Sequence, residues 1–353
     1  MTAPRPISRR RWLTQSAGAI GAAAWAGCDG AGSAANRLRV FNWSAYIADG
    51  VLEQFEEETG ASVVYDNYSS DAELEARLAT GGGGYDVVFP SDRSLPALVA
   101  KDRLQPIDQA RLANWKHLDP KFLSPPFDVG NRFTVPYFWG TLAVGVRSDH
   151  VPEEAAGFEP LFDARYRGRI TMLDDPENVI AAVLLHLGLP MNSLDPGHLA
   201  QAKELLARQK PLVQAYTSDA YKDRLISGEA WVALGWSGDL LQAADESEEV
   251  RVIVPATGTL IWIDSLAIPR AARNVDLAHR FIDFLLRPEI AVKNAEAVYY
   301  ATPNLTARGQ LPAEMRDDPV IFPPPAVLDR CSWLASRGGE IVKVEAVWRE
   351  VRE

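Results

Sequence analysis

Residues Leu38 to Phe89 read LRVFNWSAYIADGVLEQFEEETGASVVYDNYSSDAELEARLATGGGGYDVVF, a stretch in which short apolar runs alternate with longer amphipathic ones. Leu38-Arg39-Val40-Phe41 has the pattern of a strand. Val51-Leu52-Glu53-Gln54-Phe55 opens an amphipathic helix, and Gly60 is suited to its left-handed C-cap. Ser62-Val63-Val64-Tyr65 is the next strand, and Asp71 to Thr80 is a helix with Leu74 and Leu78 on one side. Tyr85-Asp86-Val87-Val88-Phe89 is a third strand. This β-α-β-α-β order predicts an α/β fold: a mixed, mostly parallel sheet flanked by helices. The glycine run Gly81 to Gly84 precedes a strand instead of opening a helix, so it is a connection and not a phosphate cradle.

Working outward, a Pro-rich region from Leu104 to Pro136 leads to Leu142-Ala143-Val144-Gly145-Val146, which starts a second αβ unit extending to about Pro255. That unit holds a helix near Leu199–Arg208, a strand near Leu212–Gln214, a helix near Ser218–Ile226 and a strand at Trp231. After Leu266-Ala267-Ile268-Pro269 the pattern is helical: Ala271–Leu286, Pro288–Ala297 and Glu340–Val351. The expected division is 37–141 for the first part of lobe 1, 142–265 for lobe 2, and 266–353 for the return to lobe 1 with the C-terminal helices. Leaving one lobe and returning implies two crossing segments and a hinged cleft.

In such sheets, ligands gather beyond the carboxyl ends of the strands. The residues there are Asn42-Trp43-Ser44, Pro90-Ser91-Asp92-Arg93, Asp174-Asp175, Trp236-Ser-Gly-Asp239 and Trp262-Ile-Asp264. The last two pair an indole with a carboxylate, which suits a small organic cation. The ring holds methylenes and the acid holds the ammonium. Cation–π contact contributes roughly 0.5–2 kcal/mol, and a hydrogen bond to a charged group about 1.5–3 kcal/mol. The competing interpretation makes both tryptophans core residues and both aspartates turn or cap residues.

Ser8-Arg9-Arg10-Arg11-Trp12-Leu13 resembles a twin-arginine export signal; small apolar residues follow from Ala17 to Ala24. Trp25-Ala26-Gly27-Cys28 resembles a lipobox, in which Cys28 carries the lipid. Residues 1–28 are therefore expected to be the signal, and 29–36 (DGAGSAAN) a flexible tether. The body would then be extracytoplasmic and touch the membrane only through that anchor. The formal charge of −11 becomes more negative without Arg5, Arg9, Arg10 and Arg11, which argues against nucleic acid as a partner. The other cysteine, Cys331, has no intrachain partner if Cys28 is lipidated, and the five histidines show no ligand spacing. No disulfide framework, metal site or cofactor is expected.

Longer matches then add to this account. They are Val40-Phe41-Asn42-Trp43-Ser44-Ala45-Tyr46-Ile47, Tyr85-Asp86-Val87-Val88-Phe89-Pro90-Ser91, Val135-Pro136-Tyr137-Phe138-Trp139-Gly140-Thr141, Asp174-Asp175-Pro176-Glu177, Trp262-Ile263-Asp264-Ser265-Leu266-Ala267-Ile268-Pro269 and Tyr300-Ala301-Thr302-Pro303-Asn304. With them, nearly the whole chain after the signal resembles the periplasmic polyamine-binding receptors of ABC transporters. The resemblance implies a two-lobed type II periplasmic binding protein that closes on putrescine or spermidine and delivers it to a permease, acting as a monomer. It implies that Trp43, Trp236, Trp262 and Tyr300 wall the groove, with Tyr46 beside them. Asp175, Asp239 and Asp264 would receive ammonium groups, and Ser44 and Ser91 would offer hydroxyls. Asp92, in the same loop, is counted with them among the ligand-binding residues.

Four positions depart from the family pattern. Ala45 and Asn178 stand where acids are usual, Arg93 stands where an aromatic or small residue is common, and Leu334 falls near a polar ligand contact. These changes leave open a shorter diamine, or a ligand whose carboxylate is held by Arg93. The same fold could also take an amino acid, an anion or a metal chelate. An exported carbohydrate-active enzyme would use Asp175 and Asp264 as an acid–base pair, but no hydrolase motif flanks them. A Gly-x-Ser-x-Gly elbow is absent from the sequence, and Ser91 has no histidine near it in sequence. Enzyme activity is therefore not expected. A lipid-anchored scaffold with an unused cleft is the remaining alternative.

Overall fold

The computed structural model describes residues 36–353. The segments expected to be the export signal, with Cys28, and nearly all of the expected tether lie outside the described residues. Among the described residues, eleven strands form one sheet: β1 Arg37–Trp43, β2 Ser62–Tyr68, β3 Val87–Val88, β4 Leu104–Gln105, β5 Thr134–Arg147, β6 Ile170–Met172, β7 Val213–Tyr216, β8 Val232–Trp236, β9 Val250–Ile253, β10 Leu260–Pro269 and β11 Ser332–Trp333. The main path runs β2-β1-β3-β10-β5-β8-β6-β7. Pairing is parallel at both ends of that path and antiparallel around β10 and β5.

Period-two alternation builds the first part. Leu38 and Val40 of β1 enter one core, while Phe41 faces a second layer with Tyr68, Leu74 and Tyr85. The helix Val51–Thr59 ends as expected at Gly60, whose φ is 68° and whose N–H donates to the Glu56 carbonyl. The helix Val275–Leu285 lays Phe281, Ile282 and Leu285 on the first core. A separate core gathers Val144, Ile170, Val183, Leu206, Val232 and Leu240.

Two strands run through both cores. Tyr137, Phe138 and Trp139 of β5 lie in the first, and Leu142 to Val144 lie in the second. Leu260 of β10 lies in the second, and Ile261 and Ile263 lie in the first. The strands pair from Ile261 opposite Thr141 to Ala267 opposite Thr134, so they change core side by side. The return therefore falls near residue 260, earlier than the expected 265/266 division.

The expected count of crossings also changes. After β11 pairs with β10, Leu334, Val344 and Val351 enter the second core, and the helix Ile341–Arg352 packs on it. The chain thus crosses a third time. The sequence pattern marked this stretch as helical, but not which core it covers.

Candidate functional site

Backbone pairing brings the central acids together. After β3, Pro90-Ser91-Asp92 runs beside β10: Ser265 N–H donates to Pro90 O and Asp92 N–H to Ile263 O, each at 3.0 Å. Ser91 lies opposite Asp264, where a bulge between Asp264 and Ser265 breaks the β10–β5 register. Such bulges redirect side chains. Asp264 is only 8 % exposed and accepts the Tyr46 hydroxyl at Oδ2, 2.8 Å away. Tyr46 follows Ala45, whose φ of 53° is uncommon for a residue with a Cβ.

Burial pushes the Asp264 carboxyl well above its ordinary range. The Tyr46 hydrogen bond pulls it back, and neighbouring Asp71 and Asp92 push it up further. Asp92 is 6 % exposed because its loop is paired to β10. Burial raises its carboxyl to about 7, with Arg93 opposing and Asp71 adding to the rise. Clustered acids held back from ionisation would welcome a cation.

Aromatic rings connect this cluster to a second carboxylate. Tyr46 meets Tyr300 at 5.8 Å between ring centres, Tyr300 meets Trp262 at 5.0 Å, and Trp262 meets Trp236 at 5.9 Å. All three contacts are edge-to-face. Tyr300 donates its hydroxyl to Asp239 Oδ1 at 2.7 Å, and Tyr221 donates to Oδ2 at 2.6 Å. Trp236 and Trp262 pack against both cores, so the rings stand at the crossing. Two glycines admit them. A Cβ on Gly140 would come within 2.6 Å of Trp262 Cζ2, and one on Gly238 within 2.5 Å of the Tyr300 ring.

Trp43 stands on Tyr68 at 4.5 Å, and both donate to the Phe89 carbonyl, at 2.9 and 2.6 Å. Ser44 is exposed. Ser91 donates its hydroxyl to Asp71 Oδ2 at 2.7 Å, an assignment that makes it a donor to a neighbouring acid.

Asp175 follows β6, as the post-strand placement expects, and is the N-cap of the helix Pro176–His186. Oδ1 accepts from the N–H groups of Glu177 and Asn178, each at 3.1 Å. Oδ2 accepts from Asn178 Nδ2 at 2.6 Å and Arg93 Nη1 at 2.7 Å. A carboxylate has about four acceptor positions, so in this arrangement none is left for an ammonium group. Leu334, expected near the groove, is buried in the second core.

Sequence reasoning passed over Asp71, Tyr68 and Tyr221. Asp71 opens a helix directly after β2, the post-strand placement used to find the other residues. Asp-Pro-Glu-Asn at 175–178 carried an N-cap followed by Pro at the first helical position, a helix-start signal. Nothing local marked Tyr221 as the partner of Asp239. Among the described residues, no group of three or more His, Cys, Asp or Glu side chains could hold a metal ion. No described helix is long and apolar enough to cross a membrane.

A sheet shared by two cores, with aromatic rings and acids at its crossing, defines a two-lobed periplasmic binding protein. The profile described as bacterial extracellular solute-binding protein matches residues 50–323, and the chain belongs to that family. It is 36 % identical over 300 residues to the spermidine/putrescine-binding periplasmic protein of Escherichia coli K12, covering 84 % of this chain and 86 % of that one. It is 35 % identical over 304 residues to the putrescine/cadaverine-binding protein of Pseudomonas aeruginosa PAO1, covering 82 % and 86 %. The crystal structure of the spermidine/putrescine ABC transporter substrate-binding protein PotD from Streptococcus pneumoniae superposes with a TM-score of 0.83. It shares 31 % identity and is covered to 98 %, against 90 % of this chain.

Proposed function

We propose that this chain is an extracytoplasmic receptor that captures a small polyamine between its lobes and delivers it to an ABC permease, without chemical change to the ligand. One observation carries the proposal: the rings of Tyr46, Tyr300, Trp262 and Trp236 link Asp264 to Asp239 at the crossing of the two cores. A polyamine is an apolar rod with separated positive ends. Rings along its length and acids at intervals are what it requires. The names of the relatives, which bind spermidine, putrescine or cadaverine, support the same ligand class.

Titration calorimetry of the tag-free chain with putrescine, spermidine, agmatine and amino acids tests this. Stoichiometric, reversible binding of an amine is expected. Tight binding of an anion with no response to any amine would overturn it. Trp262→Ala is expected to weaken amine binding by about 1–3 kcal/mol, from lost cation–π contact and burial. Its circular dichroism should match that of the parent. Unchanged affinity would remove Trp262 from the binding wall.

The anchor belongs to the same proposal. Trp25-Ala26-Gly27-Cys28 supports lipidation at Cys28 after export by the arginine-containing signal. Labelled fatty acid should be incorporated by the parent and not by Cys28→Ala; equal labelling would rule that site out.

A further inference from the structure

We infer that Arg93 is a cation built into the binding cleft, and that it sets specificity by taking one ammonium position, so that the site prefers a diamine to a triamine. The inference rests on the polyamine proposal above and narrows it. Arg93 lies on the loop after β3, on the first-core side, whereas Asp175 caps a helix whose buried residues lie in the second core. The guanidinium bridges them: Nη1 is 2.7 Å from Asp175 Oδ2, and Nη2 is 3.6 Å from Asp71 Oδ2.

Burial opposes the charge on Arg93, but Asp175 and Asp71 outweigh it and hold the group protonated. At this end, Asp175 is therefore already paired with a cation that the chain supplies, and the same guanidinium faces Asp71, whose Oδ1 has no partner. Asp175 has no acceptor position left. Asn178, fully buried beside it, turns its Nδ2 onto Asp175 and adds no charge of its own. An ammonium group brought here would have to displace the guanidinium or accept its repulsion.

The other acids differ. Asp92 and Asp264 have raised carboxyls and no comparable ion pair, and Asp239 has only phenol donors. Cations are thus expected along the ring wall and not at Asp175. A ligand carboxylate is disfavoured too, because the two guanidinium nitrogens that face acids are engaged and the surroundings are rich in acids. What fits is an amine with one charged group fewer than the acids alone would suggest.

The test measures putrescine and spermidine affinities for the full chain and for Arg93→Ala, Arg93→Gln and Arg93→Lys, with thermal melting as the folding check. The parent should prefer putrescine by about tenfold or more, a gap readily resolved by calorimetry. The neutral variants should narrow or invert that preference through tighter spermidine binding, and Arg93→Lys should retain it. Arg93→Gln, close in size to arginine, keeps the test decisive if Arg93→Ala does not fold. An unchanged ratio in a folded neutral variant, or a parent that binds both amines equally, overturns the inference and leaves the polyamine proposal standing. Tight binding of an amino acid that is abolished in Arg93→Gln also overturns it, because Arg93 would then be a carboxylate anchor. If no amine binds the parent or any variant, both proposals fail.

Discussion

Asp264→Asn is expected to weaken amine binding by about 2–5 kcal/mol, the scale of removing one partner from a buried, hydrogen-bonded charge pair. Asparagine has nearly the same shape and can still accept the Tyr46 hydroxyl through its carbonyl oxygen, so the pocket should survive. Only the charge is lost. The ligand-free variant should melt no lower than the parent at pH 8, because the parent must keep an acid there whose ionisation burial opposes. Calorimetry and melting curves together make the test specific. Full affinity in a folded variant would show that the ammonium group binds elsewhere.

A second large effect is expected from pH. Burial raises Asp92 to about 7, and Asp264 is displaced in the same direction. An ammonium group beside them favours the ionised form, so binding should lower both and release protons. Affinity should then fall as pH drops through the Asp92 value of about 7, by up to about tenfold per unit for each linked proton. The sign reverses for ligand-free stability. A buried acid raised above its unfolded value gives a folded state that holds more protons between about pH 4 and 7. That contribution to stability therefore declines as pH rises through this window. Titrations near pH 6.5 in buffers of different ionisation enthalpy would reveal the proton release. Affinity that is level from pH 5.5 to 8 would contradict it, and Asp92→Asn should flatten part of the slope.

Some of this was legible in the residues. The strand–helix alternation from Leu38 to Phe89 and the helix stop at Gly60 depend on neighbours in sequence, so pattern alone exposed them. Trp236 with Asp239 stood out because the pair closes β8; Trp262 with Asp264 had the same look, but both lie inside β10, which runs on to Pro269. Their meeting across the sheet could not be read from spacing: the aromatic link passes through Tyr300 and Tyr46, and Asp239 is held by Tyr221. Asp92 could be placed in the post-strand loop from its neighbours, but its burial comes from pairing with Ile263, which spacing does not show. Asp175 combines both kinds of information. Its role as an N-cap was written locally, but its partner Arg93 lies 82 residues away.

The third crossing determines where the ends of the chain lie. Strand β1, beginning at Arg37, builds the first core, while the helix that finishes at Arg352 belongs to the second. With the Cys28 anchor proposed above in place, such a molecule would have a stator and a rotor. The lobe bearing Trp43 and Asp264 would be the stationary jaw, and the lobe bearing Asp239 and Asp175 the jaw that swings. A label at the carboxyl end would travel with the swinging jaw and report its position.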